Sequence, residues 1–286
     1  MKTVINVYTK NIKLKNNPDY GDITCGLGDF IRGTISLIKL SKELGFNVLV
    51  DLRYNPISNF LKKNDIDNLY LEQVDKNLDN LKFFFDLNNL KNYIIESFKT
   101  SDIVSVHTNA IWQNEEIYCY DNITYPLSID EKKYIKNIFS PNDELSEYIN
   151  EKIINIPNIY NIIHFRLNDI FFNEVSIINQ ENLNNYEELF KQNYDENTVL
   201  LSNCKYFKNY IKLKYNVHII DTTMEHIGVH NNNLIGVKDT LLDFFIQSNS
   251  KKIKTFSPYF WISGFVHWNC KVFDIPLEVY KITNND

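Results

Sequence analysis

Asn161-Ile-Ile-His-Phe-Arg-Leu-Asn-Asp169 is the stretch whose reading decides the fold. Ile162 and Ile163 form a short apolar run behind the turn-like Pro157-Asn158, and His164, Arg166 and Asp169 follow at once. That is how a buried parallel strand reads when it stops at a site, because ligands of open α/β sheets bind beyond the carboxyl ends of strands. On a strand, His164 and Arg166 share one face and Phe165 takes the other. Imidazole beside guanidinium makes an anion receptor, since arginine offers phosphate a fixed fork of donors. The competing reading is structural: Arg166 pairs with Asp169, and His164 is a satisfied core residue. Composition tilts the choice. The chain carries 30 Lys+Arg, yet only Arg32, Arg53 and Arg166 are arginine. Where lysine is the default cation, an arginine at a strand end points to a task that lysine cannot do.

Upstream, residues 4–8 read as a first strand, followed by a polar loop over 9–20. Then comes Gly21-Asp-Ile-Thr-Cys-Gly-Leu-Gly-Asp-Phe-Ile-Arg-Gly33, which holds four of the chain's 8 glycines. Glycine at this density lets backbone amides approach a ligand, or simply closes a strand–helix corner. Residues 29–44 have helical apolar periodicity, Gly45 stops them, and 46–51 read as a second strand. The helix start would aim its positive end at the loop. Neither common phosphate motif fits. A dinucleotide fingerprint wants glycine where Ile31 stands, and a P-loop wants lysine where Thr34 stands. Short apolar runs at 81–85 and 103–107 suit further strands, with His107-Thr108-Asn109 lining a cleft or, ahead of that, in a capping or turn role. Residues 126–149 read as helical, with Ser140-Pro141 as a start signal.

Downstream, 198–202, 217–221 and 251–256 read as strands, and 186–193, 204–214 and 240–248 as helices. Ser257-Pro258 has the form of an N-cap followed by N1, so a helix is expected directly after the strand. Its amides, with the hydroxyls of Thr255 and Ser257, would form a second anion-binding corner; ordinary capping is the alternative. His226 and His230 lack the carboxylates and helical presentation of a metal site. Alternating strands and helices in both halves imply two parallel-sheet domains, 1–151 and 152–286, facing each other across a cleft.

At 286 residues, with 44% hydrophobic and 14% aromatic content, the chain has material for one large core or two ordinary ones. A net charge of -6 argues against a nucleic-acid-coating protein but leaves room for a local anion pocket. The four cysteines, Cys25, Cys119, Cys204 and Cys270, are scattered, which fits a reducing compartment rather than a zinc or disulfide scaffold. No apolar run approaches the ~20 residues of a membrane span, and the N-terminus turns polar too soon for a secretory signal. A cytoplasmic protein without leader, anchor or Golgi-type stem is the expectation.

Four ordered blocks carry a family resemblance: Gly26-Leu-Gly-Asp-Phe-Ile-Arg-Gly33, His164-Phe-Arg-Leu-Asn-Asp169, Leu200-Leu-Ser-Asn203, and Leu242-Asp243 with Ser248 and Thr255-Phe-Ser257. Together they resemble the nucleotide-sugar glycosyltransferases of the fucosyltransferase superfamily, which spans α-1,2- and α-1,6-fucosyltransferases, nodulation relatives and protein O-fucosyltransferases. The resemblance implies an α/β, GT-B-like fold of two Rossmann-type domains, with the acceptor on the N-terminal side and the donor on the C-terminal one. It implies inverting, metal-independent transfer, with GDP-fucose as donor and a glycan or other hydroxyl as acceptor, and no cofactor. By carry-over, Arg166 grips the diphosphate and stabilises the departing GDP, and His164 lies beside the nucleotide. Asp243 reads the base, and Thr255 and Ser257, flanking Phe256, hold phosphate oxygens. Gly26 and Gly28 belong to the N-terminal loop. Asp29 is the best-placed carboxylate for a general base, ahead of Asp22, though it also suits a helix cap. The chain departs from the family in lacking the doubled arginine of some members, and Asn203 stands where an acidic residue is frequent. Two alternatives follow: a non-catalytic sugar-nucleotide or glycan-binding protein on the same scaffold, or a transferase using another nucleotide sugar.

Overall fold

A computed structural model describes residues 2–9, 25–63, 66–112, 126–169, 171, 178–228, 233–259 and 261–283. The described chain divides into two compact units, each built on a parallel sheet. Gly21, Asp22, Cys119 and His230, which the sequence reading singles out, lie outside the described residues.

The first unit contains β1 (Thr3–Val7), α1 (Leu27–Leu44), β2 (Asn47–Asp51), α2 (Asn68–Asn77), β3 (Lys82–Phe84), α3 (Leu87–Ser97), β4 (Ile103–Thr108) and α4 (Ile129–Ile138). Its strands lie in the order β2-β1-β4-β3, all parallel. Val4, Val104 and Val106 pack with Leu37, Leu40, Leu90 and Ile94 on one face, and Ile5 and Val7 pack with Val74 on the other. A sheet covered on both faces explains why β1 and β4 are buried on both sides, although Asn6, Ser105 and His107 interrupt their apolar runs. Gly33 lets α1 close on the sheet: a Cβ there would stand 1.8 Å from the Thr108 carbonyl oxygen. At that position glycine serves packing rather than a ligand. Gly45 ends α1 in the left-handed region at φ 72°, as its sequence position indicated.

The second unit contains α5 (Asp143–Ile153), β5 (Asn161–Phe165), α6 (Gln180–Asn193), β6 (Thr198–Ser202), α7 (Lys205–Lys214), β7 (His218–Ile219), α8 (Leu234–Ser248), β8 (Lys252–Ser257), α9 (Gly264–Phe273) and β9 (Leu277–Lys281). The strand order is β7-β6-β5-β8-β9, again all parallel. From β5 the chain winds outward through β6 and β7, then crosses back to place β8 on the other side of β5. The topological switch therefore falls between β5 and β8, where a doubly wound sheet opens a crevice at its carboxyl edge. Phe165, Phe256 and Tyr280 stack across three neighbouring strands, with centroids 4.8 Å apart at both steps, and Phe165 and Phe256 join Phe207 and Phe190 in the core. Aromatic stacking of this kind fixes the register of β5 against β8.

Two helix starts differ from the sequence reading. Residues 126–149 are not continuous. Ser128 caps α4 through a capping box with Glu131, and α5 begins only at Asp143. Pro141 instead sits in a bridge opposite Leu61, held by Lys62 N–H to Ser140 O at 2.9 Å and Asn142 N–H to Phe60 O at 2.9 Å. Those bonds take the backbone that a helix start at Ser140 would have used. Likewise, no helix starts at Ser257-Pro258: Ser257 is still in strand, opposite Lys281, and α9 begins at Gly264.

Candidate functional site

The second unit brings five of the sequence-selected residues to one place, the carboxyl ends of β5 and β8. His164 and Thr255 occupy paired positions, and His164 Nδ1 lies 2.9 Å from Thr255 Oγ1. Both side chains are buried. Burial, reinforced by the neighbouring Arg166 charge, lowers the His164 pKa to about 3, so the ring is neutral through the physiological range.

Arg166 follows directly. Its backbone N–H donates to Phe256 O at 2.9 Å, extending the β5–β8 ladder past the end of the strand. The guanidinium donates through Nη1 to Leu167 O at 2.7 Å and through Nη2 to Asp169, and lies 5.6 Å from the Tyr259 ring centroid. The structural reading of Arg166 is therefore correct as far as it goes, since the Asp169 pair exists. Asp169 is 64% exposed against 15% for Arg166, however, and an ion pair with so exposed a partner exchanges readily with another anion. Tyr259 receives Asp169 N–H at 3.2 Å and stacks on Trp261 at 4.7 Å, forming an aromatic wall beside the arginine.

Ser257 lies in the same corner without the role of helix cap. Its Oγ accepts from Tyr259 N–H at 3.2 Å, and its carbonyl accepts from Ile282 N–H at 2.8 Å. A short hydroxyl–backbone turn thus replaces the expected helix N-terminus, and the anion-binding corner expected from helix amides is absent at Ser257. Phe256 points into the core and contributes through its backbone carbonyl to Arg166 rather than through its ring.

Asn203, noted in the sequence only as a substitution, organises this corner. Its Oδ1 accepts from Leu167 N–H at 2.8 Å, and its Nδ2 donates to Leu167 O at 3.3 Å and Asn168 O at 3.2 Å. A carboxylate has no donor for the two carbonyls. The amide grips both polarities of the backbone that follows Arg166. Its position at the end of a strand next to β5 was the available signal; the pairing itself was not visible in sequence.

Asp243 belongs to a separate buried cluster on α8. Its side chain is fully buried, Thr222 Oγ1 approaches its Oδ1 at 3.4 Å, and its Oδ2 has no hydrogen-bond partner within the described chain. Burial dominates and raises its pKa to about 7, against the lowering influence of Lys208. Lys208 is itself buried and donates to Thr222 O at 2.9 Å and Thr222 Oγ1 at 3.0 Å. Asp239, the next acidic residue along α8, accepts from Tyr148 OH at 2.6 Å and from Thr223 N–H at 2.8 Å. Lys208 and Thr222 were missed in sequence because nothing local marks a lysine on α7 as facing inward.

Gly26, Gly28 and Asp29 lie in the first unit. Gly26 is the N-cap of α1 in extended conformation, and Gly28 is already inside the first turn. Asp29 is paired with Arg32 at 3.1 Å, and Arg32 is tied through Nε to Asn109 O at 2.8 Å. Behind them, Cys25 Sγ lies 3.1 Å from His107 Nε2, and His107 Nδ1 lies 2.8 Å from Val7 O. Burial pushes His107 down to about 4, so this pair holds the loop base as neutral groups. Cys25, Cys204 and Cys270 are free and buried. Among the described residues, no cluster of three His, Cys, Asp or Glu has metal-ligating geometry, and no helix is long and apolar enough to cross a membrane.

Comparison with solved structures places this architecture. No protein-family model matches the chain. No curated protein matches it either. Its fold is that of the GT-B-type fucosyltransferases. The Arabidopsis thaliana FUT1 structure, a mutant in complex with GDP, superposes with a TM-score of 0.56 at 12% identity, over 99% of this chain and 71% of that one. NodZ α-1,6-fucosyltransferase co-crystallised with GDP gives 0.52 at 11% identity, over 94% and 91%. Fucosyltransferase NodZ from Bradyrhizobium gives 0.50 at 11% identity, over 94% and 92%.

Proposed function

We propose that this chain is a glycosyltransferase that takes a sugar from a GDP-sugar, with GDP-fucose the favoured donor, and transfers it to the hydroxyl of a glycan or similar acceptor. The observation that carries the reading is Arg166. It is a rare arginine at the topological switch of a doubly wound sheet, backed by the His164–Thr255 pair and walled by Tyr259. Solved structures of the same fold include GDP complexes.

In this reading, departure of the sugar leaves negative charge on the diphosphate, and the guanidinium of Arg166 stabilises it as it develops. Asp169 is displaced from Arg166 by the diphosphate. Thr255 and Ser257 offer hydroxyls to phosphate oxygens, and neutral His164, with its single N–H on Nδ1 donating to Thr255 Oγ1, orients the Thr255 hydroxyl for that bond without competing for the anion's charge. Asp243 keeps the base-reading role that the resemblance implies, its carboxylate here being fully buried beside Thr222. Asp29 serves as the general base that takes the acceptor proton, giving a single displacement with inversion. The charge is handled by the protein's own cation, so the reaction needs no metal, and EDTA leaves the rate unchanged.

A second reading is favoured by the Arg32–Asp29 pair, which holds the nominated base in an ion pair. It makes the chain a non-catalytic sugar-nucleotide or glycan-binding protein. Incubation with GDP-fucose and a panel of glycan acceptors, following GDP release, separates the two. Turnover lost in Arg166→Ala supports the transferase. Tight GDP binding with no turnover on any acceptor supports the binder, and preference for UDP over GDP moves the donor to another nucleotide sugar.

A further inference from the structure

Residues 103–105 of β4 run past the start of β3. β1 pairs with β4 from Ile103 onward, whereas β3 joins only where Lys82 meets Val106. One edge of β4 is thus left without a neighbouring strand at the amino end of the sheet. Gly26 and Asp29 lie beyond the carboxyl end of β1, at the opposite edge of the same unit.

A cavity of about 230 Å³ fills the notch. Gln73, Asn77, Asn80, Ser97, Ser105 and Tyr93 contribute to its lining, the Asn77 carboxamide already donating to Gln73 O at 2.9 Å, and none of its lining residues is charged. The Tyr93 ring is held in place by Phe84 at 5.0 Å and by the Lys82 ammonium at 4.6 Å. Ser105 is only 9% exposed, and its Oγ has no hydrogen-bond partner within the described chain.

The lining selects its ligand by elimination. A phosphate or carboxylate calls for a cation or a helix N-terminus, and neither lines the notch. An acyl chain calls for continuous apolar walls, whereas here Leu81, Ile103 and Val104 are interspersed with polar residues. Carboxamides and hydroxyls supply donors and acceptors together, which suits a neutral polyhydroxyl compound. The volume lies below the roughly 300–1,000 Å³ of sites for drug-sized ligands, so it suits one ring rather than a nucleotide. We infer that this notch is a binding site for a single neutral sugar unit, separate from the candidate donor site and independent of whether that site turns over.

The test uses the full chain, labelled with ¹⁵N and titrated with D-glucose, D-galactose, L-fucose and N-acetyl-D-glucosamine, with glucose 6-phosphate as the charged control. At least one neutral sugar is expected to shift the amides of residues 97–105 saturably. Gln73→Ala weakens that binding about fivefold, as loss of one hydrogen bond implies, and Ser97→Phe fills the notch and abolishes it. GDP affinity is unchanged in both variants. If Ser97→Phe does not fold, the half-exposed Gln73 position carries the test. The inference is overturned if no neutral sugar shifts these amides, if the shifts survive both variants, or if glucose 6-phosphate binds more tightly than the neutral sugars.

Discussion

His164 Nδ1 and Thr255 Oγ1 meet at 2.9 Å across β5 and β8, at paired register positions on the strands that flank the topological switch. The bond ties together the two strand ends on which Arg166 and Ser257 stand. Thr255→Val keeps the shape and removes the partner of a buried imidazole nitrogen. It is expected to cost about 1–3 kcal/mol, the usual penalty for an unsatisfied buried polar group. Urea denaturation measures this, and a midpoint equal to wild type would show that the pair contributes nothing to the unit.

Asn203 makes a second, sharper prediction. Asn203→Asp retains the acceptor for Leu167 N–H at 2.8 Å and replaces the donor to the Leu167 and Asn168 carbonyls by a negative charge. GDP affinity is expected to fall about tenfold while circular dichroism stays native, since one or two charge-mismatched contacts cost of this order. Unchanged affinity would show that the backbone after Arg166 needs no such clamp.

The pH dependence of stability follows from Asp243. Its folded pKa of about 7 exceeds the ordinary carboxylate value of 3.8, so the folded state binds more protons than the unfolded state between those values. Its contribution is therefore favourable at low pH and is lost as pH rises through about 7. His164 acts in the opposite sense: lowered to about 3 from 6.5, it contributes stability above pH 6.5 that is lost as pH falls. The difference in Tm between wild type and Asp243→Asn isolates the carboxylate. The variant is expected to gain on wild type from pH 5 to about pH 7 and to level off above it, and a flat difference across that range would place the pKa elsewhere.

Gly33→Ala is expected to destabilise the first unit by roughly 3 kcal/mol or more, because overpacking here pushes a methyl group against a backbone carbonyl rather than a flexible side chain. Thermal denaturation reports it. A Tm within about a degree of wild type would mean that α1 shifts away from β4 at little cost.

Much of the fold was legible because its signals are local. The stop of α1 at Gly45, the apolar strands around Val4 and Ile163, and the polar ending of β5 each need only a few neighbouring residues. Ser140-Pro141 and Ser257-Pro258 misled because a capping signal competes with tertiary hydrogen bonds. Phe60 and Lys62 recruit the first, and the β9 ladder extends through the second. At the site, Arg166 and His164 stood out by rarity and spacing, and Thr255 through the anion corner expected at Ser257 and the family resemblance. Asn203, Tyr259 and Lys208 did not, since each acts through a partner at least 14 positions away in the chain.

Calorimetric titration of GDP into wild type, Arg166→Lys and Arg166→Ala tests the central claim most directly. Wild type is expected to bind GDP in preference to UDP and ADP. Arg166→Lys loses roughly tenfold in affinity, because an ammonium cannot reproduce the guanidinium fork, and Arg166→Ala loses more than a hundredfold with its fold intact. GDP affinity unchanged by Arg166→Ala, or wild-type protein that binds none of the three nucleotides, would contradict the placement of the donor site at the end of β5.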